Sequence, residues 1–387
     1  MKRILFISKD SPDPYGSSKS FLSVMTHMHE QGCPLYLYTF PQGFLDEEAV
    51  RMGAPHGGFA FTWLQQPTAF LRAWAFLRQK FRVLRDVYGA LRNGRYEVMY
   101  INTTVHVSPL LLGRLFGCLT VVHVREGQQY FKLRGGWKKR MYGRLRNLIL
   151  RSCVDRFFCV SGYVAETVRA AIPGAQALAI HNGIDTQAFK VTDSSNREAR
   201  KRLGYAEDAF VMISVGRLHA EKGMDVFVEA AIQAAESIPG LRAIAIGGPF
   251  DTAFYLKVLK PLAERAPEGL VEFPGYHSDI RDYYAAADLF IHPATYDEPL
   301  ARTILEALSM GSCIIASRVG GTPEMIENGV NGILVEPSDA RILAKAMIEL
   351  YADVETRTKL QHAARKTAES SFSVDRYVAE IAEQLNQ

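Results

Sequence analysis

A chain of 387 residues is too long for one ordinary core and predicts two domains of roughly 150 to 200 residues each. Hydrophobic residues make up 48% and charged residues 22%, which excludes a disordered or fibrous chain and points to a soluble globular one. The net charge of +4 conceals an asymmetry: Met1–Lys190 holds 25 Lys and Arg against 12 Asp and Glu, and the remainder 20 against 29. A basic first half implies an anionic partner, whether membrane surface, phosphorylated lipid, acidic polymer or nucleic acid.

The N-terminus "MKRILFISKD" has a basic start, but its apolar run of about five residues is too short for a signal peptide and suits a first buried strand. A Gly/Ser/Pro-rich turn leads into "SFLSVMTHMHEQG", where Phe21, Val24, Met25 and Met28 fall at helical spacing. "LYLYTF", a helical stretch from Leu71 to Leu91, "EVMYIN", "TVVHV", "RFFCVS", "YVAETVRAAI" and "ALAIHNGID" continue the alternation. Within the helical stretch Trp74, Leu77, Phe81, Leu84 and Tyr88 recur at 3,4,3,4 spacing. They are expected to pack on a sheet, leaving Arg72, Arg78, Lys80, Arg82 and Arg85 as a solvated back. The window "VHVSPLLLGRLFGCLTVV" is broken by Pro109 and Arg114, so it reads as a helix followed by a strand, not a membrane span. "YFKLRGGWKKRMYGRLR" mixes Tyr130, Phe131 and Trp137 with seven cations and has no clear burial pattern. It is expected to meet anionic lipid head groups or a phosphorylated acceptor. No nucleic-acid motif accompanies it.

After the polar passage "TDSSNREARKRLGYAED" the pattern restarts with "FVMISVGR", a helix over Gly223 to Glu236, "RAIAIGG", "DLFIHPA", "CIIAS" and "GILVE". Repeated βαβ alternation predicts an α/β fold of two Rossmann-like domains with parallel sheets covered on both faces. The boundary falls near Lys190, giving domains over 1–190 and 191–371. In open α/β sheets ligands sit outside the carboxyl ends of the strands, so the site is expected between the domains on loops that follow strands. No GxGxxG follows the first strand, which speaks against a dinucleotide coenzyme. The five cysteines, Cys33, Cys118, Cys153, Cys159 and Cys313, form no CxxC pair, as expected of reduced buried thiols in a cytoplasmic setting.

Two stretches carry charge in a pattern suited to chemistry. In "GRLHAEKGMD", Arg217 and Lys222 flank a turn at the end of a strand, and Gly223 opens the next helix, an arrangement suited either to holding a diphosphate or to a solvated basic turn. In "EPLARTILEALSMG", Glu298 precedes a helix start whose backbone N–H groups at Leu300, Ala301 and Arg302 are expected to face an anion, and Glu306 lies about two turns further on. Eight helical residues span about 12 Å. A glycosidase pair needs about 5 to 9.5 Å, so the two carboxylates suit the two ends of one extended ligand better than an acid/base couple.

These stretches, together with "DLFIHPATYDEPLARTILEALSMG", "ASRVGGTPEMIENGVNGILVEP", "TVVHVRE", "FFCVSGYVAETV" and "HNGID", resemble the retaining glycosyltransferases of family 4, which have the GT-B fold with two parallel sheets facing a central cleft. The resemblance is strong from about Phe210 to Pro337 and continuous, though weaker, through the first half. It implies that Glu298 and Glu306 are the family's E-x7-E pair, the first against the donor sugar and the second on the ribose hydroxyls. Arg217 and Lys222 would neutralise the donor diphosphate, with backbone N–H groups after Pro299 completing the cradle. Gly16 and Ser17 match the first domain's glycine loop, His123 a histidine that reaches the sugar, and Asn182 lies in the matching "HNGID". Gly275 and Tyr276 fall where the nucleobase lies. The C-terminal helix, 372–387, is expected to pack back on the first domain. Two departures stand out: Ala301 where the family usually has glycine, and "YGSSKS" where it usually has adjacent glycines.

What the resemblance implies is a metal-independent hexosyltransferase with no cofactor beyond its nucleotide-sugar substrate. It would transfer a sugar to a lipid-linked or cell-surface glycan acceptor in polysaccharide biosynthesis, from the cytoplasm or the inner membrane face. The basic half would lie on the acceptor side, against the acceptor or an anionic membrane surface, with no nucleic acid needed. A nucleotide-sugar epimerase of the same fold and an inactive nucleotide-sugar-binding protein remain the alternatives.

Overall fold

The computed structural model describes residues 2–8, 16–39, 41–58, 69–104, 107–131, 136–191, 195–248 and 251–387, and of residues 69–77, 138–139 and 195 the backbone only. Tyr15, Lys132, Arg134 and the side chains of Arg72, Trp74 and Leu77 therefore lie outside the described residues. The chain divides into two compact units: Met1–Asn182 with Tyr377–Gln387, and Gly183–Arg376.

In the first unit the strands are β1 (Ile4–Ser8), β2 (Leu35–Thr39), β3 (His56–Gly58), β4 (Val98–Asn102), β5 (Leu119–Val124), β6 (Arg156–Cys159) and β7 (Ala177–Ala179). They form one parallel sheet in the order β3-β2-β1-β4-β5-β6-β7. Every residue of β1 and β4 is buried. This is why their sequences run apolar without alternation, as expected of central strands covered on both faces. The second unit repeats the plan with β8 (Phe210–Val215), β9 (Leu241–Ile246), β10 (Val271–Gly275), β11 (Leu289–His292), β12 (Cys313–Ser317) and β13 (Ile333–Val335), in the order β10-β9-β8-β11-β12-β13. Its core brings Met212, Phe227, Ala243, Leu289, Ile315 and Met347 together between sheet and helices.

Both sheets reverse their winding once, between β1 and β4 and between β8 and β11. At such switch points the loops leaving the two neighbouring strands run in opposite directions and open a crevice at their carboxyl ends. In the second unit those two loops carry Arg217 and Lys222 on one side and Tyr296 and Glu298 on the other.

Three expectations about elements need correction. The strands β3 and β10 were not anticipated: β3 is only "HGG", and β10 contains Pro274 and a break in register. The helix Ala69–Gly94 buries Val83, Val87 and Leu91, whereas Phe81 and Tyr88 of the expected stripe are exposed. Two apolar stripes compete on that helix, and the smaller aliphatic one faces inward. The stretch without an evident burial pattern forms the helix Trp137–Cys153, which turns Gly143, Arg146, Leu150 and Cys153 inward. No described helix is long and apolar enough to cross a membrane.

One buried cation fastens the second unit's helix layer to its sheet. Arg200 donates to the carbonyls of Glu207, Ala209 and Ala286 and to the Asp288 carboxylate, which also accepts from the Val211 backbone. Replacing Arg200 by methionine takes the donor from the buried Ala286 carbonyl and leaves the partly buried Asp288 carboxylate with only the Val211 N–H and no counter-charge. Removing one partner of a buried pair costs about 3–5 kcal/mol, so the lower thermal transition of Arg200→Met is expected to fall by about 10 °C. An unchanged melting profile would show that the contacts are not needed.

Candidate functional site

The second unit gathers its functional side chains at the carboxyl edge of the sheet, where main-chain hydrogen bonds stitch successive loops together. Gly216 N–H donates to the Ile246 carbonyl at 2.9 Å, Leu218 N–H to Gly248 at 3.1 Å, Gly247 N–H to Gly275 at 2.9 Å and Thr295 N–H to Glu221 at 3.0 Å. The loops after β8, β9, β10 and β11 are thereby held side by side. Two glycines permit still closer approach. Gly223 has φ +65°, and a Cβ there would meet the Pro293 carbonyl oxygen at 1.9 Å. Gly320 has φ +51°, and a Cβ there would meet the Glu298 carbonyl oxygen at 2.0 Å. Neither place admits a side chain, so the backbone around Glu298 is fixed by what glycine alone can do.

At the centre Lys222 pairs with Glu298 and donates to the Tyr296 hydroxyl at 3.2 Å. The His292 Nε2 lies 3.9 Å from the Glu298 carboxylate and has no hydrogen-bond partner. Burial alone would push the Glu298 carboxyl up. The Lys222 ammonium, His292 and hydrogen bonds from Lys222 and Tyr296 outweigh it, so the group is held below the ordinary carboxylate range and is an anion at neutral pH. Burial presses His292 down to about 4, Glu298 opposing and Lys222 assisting, so its ring is neutral. Arg217 is exposed, and its charge acts on the Tyr296 hydroxyl.

The helix Arg302–Ser309 begins two residues later than its sequence suggests, with Leu300 and Ala301 buried ahead of it and Ala301 extended at the cap position. No side chain caps it, so its first backbone N–H groups are left for another acceptor. Glu306 is not on the solvent side, the usual place for a helical carboxylate. It is buried, bound by Arg302 Nε at 3.1 Å and by the Tyr284 hydroxyl at 3.2 Å. Gly275 ends β10 with φ +86°, and Tyr276 beside it is exposed. His292, Tyr296, Tyr284 and Gly320 were not singled out in the sequence; "DLFIHPATYDEP" contained the first two, without a spacing that marks them.

In the first unit the corresponding edge gathers neutral side chains around one guanidinium, with the Glu126 carboxylate accepting from the backbone N–H groups of Thr104 and Arg125 beside it. Arg125, just past β5, donates through Nε to Asn102 Oδ1 at 2.6 Å, through Nη1 to Asn182 Oδ1 at 2.7 Å, and through Nη2 to the Tyr377 hydroxyl at 3.1 Å. The same Nη2 lies 3.4 Å from His123 Nδ1, which the Tyr100 hydroxyl also meets at 2.5 Å. His123 is fully buried, with Nε2 unpartnered, and burial followed by the Arg125 charge holds its imidazole well below the ordinary range. A guanidinium donor at Nδ1 favours the tautomer that carries its proton on Nε2. Gly16 is the exposed first residue of the helix Gly16–Glu30, with Ser17 half-buried behind it.

Two family models match the chain one after the other: "Glycosyltransferase Family 4" over residues 15–188 and "Glycosyl transferases group 1" over residues 195–367. The chain belongs to glycosyltransferase family 4. Among its relatives, spore coat protein SA of Bacillus subtilis is 30% identical over 250 residues, 60% of this chain and 65% of that one. The lipopolysaccharide core biosynthesis glycosyltransferase LpsE of Rhizobium meliloti is 30% identical over 174 residues, 45% of this chain and 49% of its own. The matched stretches thus span about half to two thirds of these relatives. Anabaena Alr3699/HepE, solved in complex with UDP, has a TM-score of 0.82 at 23% identity with 99% of both chains covered, a likeness of fold. This family 4 chain accordingly has the two Rossmann-like, parallel-sheet domains of GT-B proteins.

The neutral, buried His292 gives the second unit an acid-sensitive point. An unfolded imidazole takes up a proton near pH 6.5, whereas His292 in the fold resists it down to about 4. Between those values the unfolded state binds more protons, so stability falls as pH drops, by about 3 kcal/mol if the whole shift is realised. Urea titrations at pH 7 and pH 4.5 are expected to show a smaller acid loss for His292→Gln than for the parent. Equal losses would remove His292 as the cause.

Proposed function

We propose that the protein is a retaining, metal-independent glycosyltransferase that moves a sugar from a nucleoside diphosphate sugar to an acceptor hydroxyl, with a lipid-linked or cell-surface glycan as acceptor. The observation that carries this reading is the convergence, on one sheet edge, of Arg217, Lys222, an ionised Glu298 and the uncapped helix start at Arg302. The chemical task is to stabilise charge on the leaving diphosphate while the anomeric carbon becomes cationic. Arg217, Lys222 and the helix N–H groups serve the leaving group. Glu298 cannot be a general acid, because its carboxyl is ionised at neutral pH. It serves as a fixed anion that holds sugar hydroxyls and favours positive character on the ring.

Glu306 is the second grip. With Arg302 and Tyr284 already on its oxygens, it is oriented before any ligand arrives and is suited to accepting hydrogen bonds from ribose hydroxyls. Gly275 and Tyr276 would flank the base. His123, donating from Nε2, and Gly16, Ser17 and Asn182 would serve the acceptor at the first unit's own carboxyl edge. The Anabaena neighbour has also been solved with UDP-glucose, which makes uridine diphosphate sugars the first donors to test. The role of LpsE in lipopolysaccharide core synthesis supports a glycan acceptor. The setting is cytoplasmic, with an anionic membrane surface as partner of the basic half.

A panel of UDP-, GDP- and ADP-sugars, scored for thermal stabilisation and slow hydrolysis in the presence of a chelator, tests the reading. Stabilisation by no donor would refute it, as would rearranged sugar still carrying its nucleotide, the product of an epimerase. Anomeric configuration in the transferred product checks retention. Arg217→Ala or Lys222→Ala is expected to lower turnover by about two orders of magnitude, and Glu306→Ala to weaken nucleotide binding.

Glu298→Gln separates binding from chemistry. It releases Lys222 from its carboxylate, so nucleoside diphosphate binding is expected to hold or tighten while turnover falls by about a hundredfold or more. Loss of nucleotide affinity in that variant would place Glu298 at the wrong end of the ligand.

A further inference from the structure

We infer that the outer face of three neighbouring helices in the first unit is a docking surface for an anionic lipid bilayer. The helices are Ala69–Gly94, Pro109–Leu115 and Trp137–Cys153, which pack side by side in that order. The last is turned inside out with respect to hydrophobicity. Its inward residues are Gly143, Arg146, Leu150 and Cys153, and Arg146 is buried with its guanidinium 4.3 Å from the Tyr130 ring. At about 100° per residue, the opposite side carries Trp137, Met141, Leu145 and Leu148. These are 64%, 59%, 55% and 59% exposed. Four large apolar side chains in one outward row form a patch of a kind that soluble surfaces seldom leave open.

The neighbouring helices extend the patch. Leu111 and Leu115 stand exposed on the short helix, and Phe81 on the long one, with Tyr88 meeting Phe116 edge to face at 5.5 Å between them. Cations are interleaved with this surface: Arg140, Arg144 and Arg151 beside the outward row, Arg114 between Leu111 and Leu115, and Arg78, Arg82, Arg85 and Arg92 along the long helix. The opposite sign is sparse. From Val98 to Val154 the single acidic residue is Glu126, which holds backbone N–H groups of Thr104 and Arg125, and Asp155 just beyond lies 3.5 Å from the Arg114 guanidinium. Asp86, the one acid in the long helix, is bonded to Tyr38 and Arg85.

Charge complementarity selects the occupant. A second copy of this chain would bring arginines against arginines. A nucleic acid would match the cations but leave the outward apolar row in water. An anionic bilayer satisfies both: arginines meet lipid phosphates, and apolar side chains enter the boundary between head groups and acyl chains. The inference uses nothing of the transfer chemistry, and deepens the proposed function only by giving the acceptor-side unit its partner.

Full-length protein is sedimented with vesicles of phosphatidylcholine alone and with vesicles containing about a third phosphatidylglycerol. Binding is expected with the anionic vesicles, with a blue shift of tryptophan fluorescence that Trp137→Phe reduces. The double variants Leu145→Glu with Leu148→Glu, and Arg140→Glu with Arg144→Glu, are each expected to bind about tenfold more weakly or worse. Their melting profiles should match the parent, and Leu145→Ser with Leu148→Ser replaces the first pair if glutamate impairs folding. Equal binding to both vesicle types, or undiminished binding by the leucine variants, overturns the inference. So does a parent dimer that the leucine variants convert to monomer without lipid. Donor-induced thermal shifts on the same preparations read the transfer site separately: their absence with vesicle binding intact would remove the transferase reading and leave the surface.

Discussion

The second unit is organised around one ion pair. Lys222 and Glu298 come from loops after different strands, and both side chains are largely withdrawn from water, 14% and 12% of each remaining exposed. Burying such a pair seldom adds net stability, because desolvation offsets most of the attraction. Its persistence therefore points to chemistry, and the surrounding backbone is shaped to permit it. Gly223 lets the Lys222 turn pass against Pro293, Gly320 lets the next loop pass against Glu298, and Gly321 N–H donates to the Glu298 carbonyl at 2.8 Å. The pair also sets the electrostatic character of the edge. Because Glu298 already neutralises much of Lys222, the proposed attraction for a diphosphate would rest more heavily on exposed Arg217 and on the helix start.

The two units apply one architecture to opposite electrostatic ends. Each places its side chains at the carboxyl edge beside the strand where winding reverses. In the second unit those side chains are charged. In the first, one arginine directs its donors to two amide oxygens and a tyrosine hydroxyl, and burial, assisted by its charge, keeps His123 from taking a proton. A neutral histidine with a free Nε2 donor suits hydroxyl chemistry, as a cluster of cations suits phosphate. Thr103, next to Asn102, is held at φ +78°, a conformation a β-branched residue adopts at a cost of about 1–3 kcal/mol. That strain sits at the first unit's switch point, next to Asn102, which accepts from Arg125.

How far the sequence could be read follows from which physical signal each element carries. Central parallel strands were legible because burial on both faces leaves an unbroken aliphatic run. The E-x7-E stretch, Arg217 and Lys222 were marked out by the family resemblance, because a charge in a turn or within a helix has an ordinary solvated reading as well. β3 and β10 were not, being a three-residue glycine-rich edge strand and a strand interrupted by Pro274. Tyr284, Tyr296 and His292 were hidden for another reason. They are ordinary core-forming residue types, and only tertiary proximity to Glu298 or Glu306 gives them a part. Hydrophobic periodicity failed outright at the helix Trp137–Cys153, because it assumes that the apolar side faces in.

That failure explains what the charge count by itself could not. An excess of Lys and Arg over the first half says only that something anionic is attracted, and it treats every cation alike. The structure sorts them by work done. Arg125 and Arg146 are consumed internally, one by Asn102, Asn182 and Tyr377, the other by the Tyr130 carbonyl and ring. Their removal would disturb the fold, not the attraction. The arginines on the outer helix faces are exposed, Arg85 beside Asp86 and Arg114 beside Asp155, and stand next to exposed Leu, Met and Trp. Cations alone would give a long-range pull that salt screens, and an apolar row alone would give aggregation. Set on one face, the first would draw the protein to a negative interface and the second would hold it there. This division of labour requires Arg146 to be inside, since that inversion is what frees the helix's apolar row to face outward.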